Sequence, residues 1–209
     1  MMPEGGDVMI TCAYGQILTQ AVLDAFPKGV WNIHAGLLPQ YRGASPIQSC
    51  IVNGEKVTGV SIMKTELGLD SGDVLCVEET PIAETETYGE LSDRLSGIGA
   101  ELIVKALQQI EDGNYQLKPQ ATEGVQVVRK ISKEQAKMDF NRPVNELVNL
   151  VRGMNPAPIA YAILGENKMN VYRAESAVLT EEEKAIFDRV NVGEEWGSAV
   201  SYSIKIKSK

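Results

Sequence analysis

The sequence is poor in several of the residues that announce a function. It has three cysteines, Cys12, Cys50 and Cys76, all in apolar stretches and none in CxxC spacing. This excludes a disulfide framework and leaves no metal-ligating pattern, so they read as reduced packing residues. No stretch of roughly eighteen apolar residues occurs, and no basic region followed by an apolar core stands at the front. The expectation is a cytoplasmic chain with neither a membrane span nor a signal peptide. Positive charge is also scarce: 20 Lys and Arg face 28 Asp and Glu, for a net charge of −8. That excludes nucleic-acid binding through the whole surface, which needs clustered phosphate contacts. A nucleic-acid partner would have to use a local patch. Arg129, Lys130, Lys133 and Lys137, or Lys205, Lys207 and Lys209, are the candidates, and scattered solvated charge is the alternative reading. There is one histidine.

What is present gathers around that histidine. The run from Asn32 to Pro46 (Asn-Ile-His-Ala-Gly-Leu-Leu-Pro-Gln-Tyr-Arg-Gly-Ala-Ser-Pro) packs polar, Gly and Pro signals around His34. Val30 to Ile33 reads as the end of a buried strand, so Asn32 and His34, two apart, point to one face. Leu37-Leu38-Pro39 forms an apolar elbow and Arg42-Gly43 a turn. Ser45-Pro46 reads as an N-cap followed by Pro at the first helical position. Open α/β sheets place ligands at such a strand, loop and helix start.

Along the rest of the chain, Asp7 to Ala13 reads as a strand buried on both faces, Ile17 to Phe26 as a helix, and the two with Val30 to Ile33 as one βαβ unit. Pro46 to Val52 follows as a helix, then Thr58 to Lys64 and Val74 to Glu79 as strands. Thr87 and Glu90 form a capping box for a helix ending at Gly113, with Leu91, Leu95, Ile98, Leu102, Ala106 and Ile110 on one face. Residues 114–131 show no period and contain Pro119 and Gly124, which predicts a surface linker. The expected division is therefore 1–113, a linker over 114–131, and 132–209. In the last part, Ser132 to Gln135 reads as a capping box and Pro143 to Val151 as a helix. Ile159 to Leu164 and Met169 to Ala174 read as a hairpin across Gly165 to Asn167, Thr180 to Phe187 as a short helix, and Val200 to Ile206 as a last strand.

Asn-x-His-x-x-Leu-Leu-Pro-x-Tyr-Arg-Gly over Asn32 to Gly43, together with Leu69-Asp70-Ser71-Gly72-Asp73, resembles the signature of the folate-dependent formyltransferases, and their methionyl-tRNA branch above all. Ala13 to Leu18 and Thr58 to Met63 agree further, and the resemblance runs from about Asp7 to Glu175. It implies an α/β protein: a partial Rossmann-like formyltransferase domain, then a small, mostly β C-terminal domain, OB-like but incomplete. It also implies formyl transfer from 10-formyltetrahydrofolate to the amine of initiator methionyl-tRNA, without a metal. Asn32, His34 and Asp70 would then be catalytic. Tyr14, Gly15, Ile17, Leu18, Gly36, Leu37, Leu38 and Pro39 would hold the folate, and Arg42 would contact substrate. Two departures stand out. Gly36 occupies a place where Ser is usual, which predicts weaker folate binding. Family members carry several βα units before the strand matching Asp7 to Ala13, and here Met1 to Gly6 precede it. A catalytic domain lacking its N-terminal half is expected, with an open sheet edge that invites self-association or pairing with that half.

The implied chemistry suits these residue types. A neutral amine attacks a carbonyl carbon, and negative charge develops on oxygen. Asn32 and a protonated His34 donate to that oxygen, while Asp70 supports the imidazolium or takes the amine proton through water. Asp70 also has a structural reading as an ordinary turn carboxylate. Arg42 has one too, holding its loop by a salt bridge. An amino-sugar or glycinamide-ribonucleotide acceptor, and a non-catalytic folate-binding remnant, are the competing functional readings.

Overall fold

A computed structural model of the chain describes residues 6–176, 180–187, 195–196 and 205–206. It divides into two units, Met1–Cys50 with Glu55–Lys130, and Ile51–Gly54 with Ile131–Lys209.

The first unit is built on a four-stranded sheet. Strand β1 (Met9–Cys12) is followed by a short helix α1 (Gln20–Asp24), β2 (Val30–His34), a two-residue strand β3 (Arg42–Gly43) and helix α2 (Pro46–Val52). Next come β4 (Val57–Lys64), β5 (Val74–Pro81), the long helix α3 (Tyr88–Asp112) and a second two-residue strand, β6 (Val127–Val128). The sheet order is β1-β2-β4-β5. β1 and β2 run parallel, with Thr11 opposite Asn32, whereas β2–β4 and β4–β5 are antiparallel. β4 is flanked on both sides and has Thr58 to Met63 buried. The expectation of full burial for β1 is corrected: it lies at an edge, with Met9 and Ile10 half-buried and Cys12 exposed. The helix expected over residues 17–26 is likewise confined to α1, and Ile17 is exposed.

α3 forms where local signals place it. The Thr87 hydroxyl accepts the Glu90 N–H, the Glu90 carboxylate accepts the Thr87 N–H at 2.8 Å, and Gly113 ends the helix in the left-handed region at φ 67°. The apolar stripe buries Leu91, Leu95, Leu102, Ile103, Ala106 and Ile110, each large side chain contributing about 1.5–3 kcal/mol. It runs through Gly99 rather than Ile98, which is half-buried, because a Cβ at Gly99 would lie 3.0 Å from Ile33 of β2. Arg94 fastens α3 to the end of β5, donating to Glu86 at 2.9 Å, to the Pro81 carbonyl and to Thr80.

Residues 114–130 are mostly exposed, yet they are not a slack tether. Tyr115 meets fully buried Trp31 edge-on, with ring centroids 5.6 Å apart, and Lys118 exchanges two backbone hydrogen bonds with Val74. β6 then pairs in parallel with β3. Ser45 stands just before α2, as expected, with its carbonyl accepting the Ser49 N–H, and its hydroxyl donates to the Arg129 carbonyl at 2.6 Å. Apart from Ser49, these partners are all distant in sequence, so no local pattern announces them.

In the second unit, a 3-10 turn (Glu134–Ala136) precedes helix α4 (Val144–Gly153), which starts just after Pro143. Strands β7 (Ala160–Leu164) and β8 (Asn167–Val171) form the expected hairpin, with the two-residue turn Gly165-Glu166. Gly165 takes φ 58°, which suits glycine. The core consists of Ala136, Met138, Leu147, Leu150, Val151, Met154, Ala160 and Ala162. Helix α5 (Glu181–Phe187) forms where a short helix is expected, and Thr180 and Glu183 exchange hydrogen bonds at its start. Of the last expected strand, Lys205–Ile206 is described and pairs with Glu195–Trp196, while the rest of Val200 to Ile206 lies outside the described residues. The fold class is thus mixed α/β.

Candidate active site

Asn32 and His34 leave β2 on the same face, as their spacing requires, and neighbouring strands fix their orientation. On β1, the Thr11 hydroxyl donates to Asn32 Oδ1 at 3.0 Å. The amide oxygen is thereby committed and Nδ2 turns the other way, 3.5 Å from Asp70 Oδ1. His34 is 4% exposed, and its Nε2 donates to the Tyr41 carbonyl at 3.0 Å, because a carbonyl can only accept. Nδ1 faces Asp70 Oδ2 at 3.6 Å. On β4, directly opposite His34, fully buried Ser61 donates to the Gly36 carbonyl at 2.7 Å and accepts the Leu38 N–H at 3.3 Å. The elbow after β2 is held by that one hydroxyl.

Asp70 comes from the loop between β4 and β5. Its Oδ2 accepts the Gly43 N–H at 2.8 Å. Gly43 has φ 110°, and a Cβ there would run into the Val128 carbonyl, so only glycine allows both the β3–β6 pairing and this donor. A Cβ at Gly72 would likewise strike the Lys64 carbonyl. Backbone strain gathers here. Ala13 (φ 50°), Tyr41 (φ 56°) and Asp70 (φ 44°) are non-glycine residues in the left-handed region, each costing on the order of 1–3 kcal/mol. Tyr41 is steadied by its buried ring, whose hydroxyl donates to Glu55 at 2.6 Å.

Burial pushes the His34 imidazole below the ordinary histidine value, against the opposing pull of the Asp70 carboxylate and the Tyr41 carbonyl. The expected imidazolium forms only against that burial. With Nε2 donating to the Tyr41 carbonyl, Nδ1 is the ring atom that faces Asp70, so a proton gained or lost there lies beside the carboxylate.

The remaining expected site residues are less concentrated. Gly36 is buried, and Leu37, Leu38 and Pro39 are half-buried beside His34. A Cβ at Gly36 would lie 3.1 Å from His34 Nε2 and 3.2 Å from Pro46, so a serine there would crowd the imidazole. Tyr14, Gly15 and Ile17 are exposed and Leu18 is half-buried; the Tyr14 hydroxyl reaches only Gln16, at 3.5 Å. The Arg42 guanidinium is engaged inside the protein, donating through Nε and Nη2 to Gln120 Oε1 at 3.0 and 2.7 Å. A cavity of about 640 Å³ lies elsewhere, between Leu23, Phe26 and Pro27 on one side and Lys64 to Gly68 on the other, and touches none of the expected site residues. Sequence reasoning missed Thr11, the Tyr41 carbonyl, the Gly43 N–H, Ser61 and Gln120. Thr11 and Ser61 left a signal, a hydroxyl inside an apolar strand; Gln120 left none.

Residues 2–107 match the family model described as formyl transferase, and residues 130–206 match the formyl transferase C-terminal domain. A methionyl-tRNA formyltransferase of Chromohalobacter salexigens is 46% identical over 170 residues, covering 81% of this chain and 52% of that protein. One from Brucella anthropi is 47% identical over 155 residues, covering 74% of this chain and 51% of its own length. The chain thus spans about half the length of the curated relatives it matches. Among solved structures, WlaRD, a sugar 3N-formyl transferase solved in the presence of dTDP and 5-N-formyl-THF, is similar at a TM-score of 0.76 and 18% identity, covering 96% of this chain and 68% of that one. At that identity the likeness is one of fold. Among the described residues no helix is long and apolar enough to cross a membrane.

Proposed function

This chain belongs to the formyl transferase family, and from that premise we propose that it serves transfer of a formyl group from 10-formyltetrahydrofolate to the free amine of initiator methionyl-tRNA, in the cytoplasm. The observation that carries the reading is the meeting of Asn32, His34 and Asp70 within 3.6 Å, inside the stretch of residues 2–107 that matches the formyl transferase family model. Relatives at 46–47% identity supply the acceptor, since they are named for methionyl-tRNA.

The residues present suit a formyl-folate. Leu37, Leu38 and Pro39 give half-buried apolar surface next to His34, and Tyr14, 53% exposed, offers a free ring face for a pterin. The folate supplies an activated formyl carbonyl; the rest is done by side chains of this chain. Asn32 Nδ2, aimed by Thr11, donates to the oxygen on which charge develops, and loss of one such donor raises a barrier by about 2.7–4 kcal/mol. His34 Nδ1 takes the proton that the attacking amine must lose. Once charged it pairs with Asp70 and holds that proton for the departing nitrogen. Asp70, itself held by the Gly43 N–H, sets the strength of that base.

The test is a transfer assay in which methionyl-tRNA and a nucleotide-linked amino sugar compete for the formyl group, run on a polypeptide that joins this chain to the remaining length its relatives have. Formylation of methionyl-tRNA, slowed at least a hundredfold by N32A and by H34A in protein that still melts cooperatively, is expected. Preferential formylation of the amino sugar would overturn the acceptor. A folded protein without transfer to either acceptor would overturn the reading as an enzyme.

A further inference from the structure

The side chain that joins the two halves of the site is Gln120, in the exposed segment after α3. A carboxamide has two N–H donors and an oxygen with two lone pairs, and here every one is used. Nε2 donates to the Asp70 carbonyl at 2.8 Å and to the Gly72 carbonyl at 2.7 Å, while Oε1 accepts from Arg42 Nε and Nη2. On one side stands the turn that presents the Asp70 carboxylate. On the other stands the strand whose next residue, Gly43, donates to that same carboxylate. We propose that Gln120 is a positioning residue of the catalytic centre: it clamps the Asp70–Gly72 turn to β3 and thereby holds the Asp70 carboxylate between the Gly43 N–H and His34 Nδ1. The inference rests on reading His34 and Asp70 as a working pair.

Three physical arguments support it. Asp70 sits at φ 44°, a conformation that persists only where the surroundings over-determine it, and Gln120 holds two of the carbonyls of its turn. The clamp needs donors on one side and an acceptor on the other, separated by the reach of this side chain; Leu provides neither and Glu lacks the donors. Gln120 is also neutral and occupies the Arg42 guanidinium. Arg42 is thus tied to the same amide that holds the Asp70 turn.

The single histidine makes the test direct, because the imidazole C–H resonances of the whole chain report one titration. In Q120M, Asp70 is released from beside Nδ1, and His34 loses about tenfold in proton affinity. D70N gives a shift of the same sign. In the double variant Q120M/D70N the two effects do not add, because Gln120 acts through Asp70. Q120N retains the amide on a shorter arm and gives an intermediate shift, which keeps the test available if Q120M melts early. A His34 titration unmoved in both Gln120 variants, while D70N does move it, overturns the role of Gln120 alone. Full additivity in the double variant does the same. If D70N leaves His34 unmoved, the His34–Asp70 pair fails instead, and the functional reading built on it fails too.

Discussion

The buried interior of the second unit and the surroundings of His34 in the first are both out of water, but different forces hold them. Around Leu147, Leu150 and Met154 the cluster is built of Ala, Met, Leu and Val side chains, with Arg152 the buried charged residue on the same helix. Around His34 the buried groups are Thr11, Ser61, the Tyr41 carbonyl and His34 itself, each with a specific donor or acceptor. A core of the first sort tolerates approximate shapes and loses stability in proportion to the volume removed. A network of the second sort contributes little net stability, since each hydrogen bond replaces one made to water, but it fixes orientation. The first unit accepts left-handed backbone at Tyr41 and Asp70 for the sake of that orientation. Chemistry and stability are thus placed in different kinds of packing.

The sharpest way to break this contrast is to injure each region and read both outcomes. L150A in the second unit should cost about 2–5 kcal/mol in chemical denaturation while leaving the His34 NMR titration unchanged; a moved titration would mean that the regions are not independent. H34A should slow transfer by roughly 10²- to 10⁴-fold, the range for loss of a general base, with a shift of the melt much smaller than that of L150A. Both changes remove a buried side chain, so equal loss of stability would erase the distinction. T11V removes only the hydroxyl that sets the Asn32 amide. Its expected cost is about 0.5–1.5 kcal/mol in the barrier with the fold intact, seen as a roughly two- to thirteenfold slower turnover.

The smallest effect is the pH dependence of stability. The folded His34 holds its proton less tightly than the unfolded chain does, so the unfolded state binds more protons in the window between the depressed folded value and the ordinary histidine value. Stability is therefore complete above that window and is lost as pH falls through it. Melts of the wild type between pH 7 and pH 5 should show this loss, and H34Q should flatten that part of the profile. A wild-type profile already flat there would show that burial does not weaken the imidazole.

Much of this protein was legible from local pattern. The capping box at Thr87, the apolar stripe from Leu91 to Ile110 and the left-handed stop at Gly113 lie within one helix, and the helix forms where they predict. Asn32 and His34 share a face because side chains alternate along any strand, whatever the strand packs against. The Gly165 hairpin turn is local in the same sense. The bond from Ser45 to Arg129 and the Gln120 clamp were not legible, and Thr11 showed only as a hydroxyl inside an apolar strand, without its partner.

The sequence by itself therefore determined which elements form and which two reactive side chains leave β2 together, because those outcomes depend on periods of 2 and 3.6 residues and on caps within a few positions. Tertiary structure alone decided what these side chains can do. Whether His34 rests neutral, where its Nε2 proton goes, and which groups grip Asp70 all depend on partners 7 to 50 residues away along the chain. Electrostatics and hydrogen bonding act through space, and no spacing in the sequence encodes that distance.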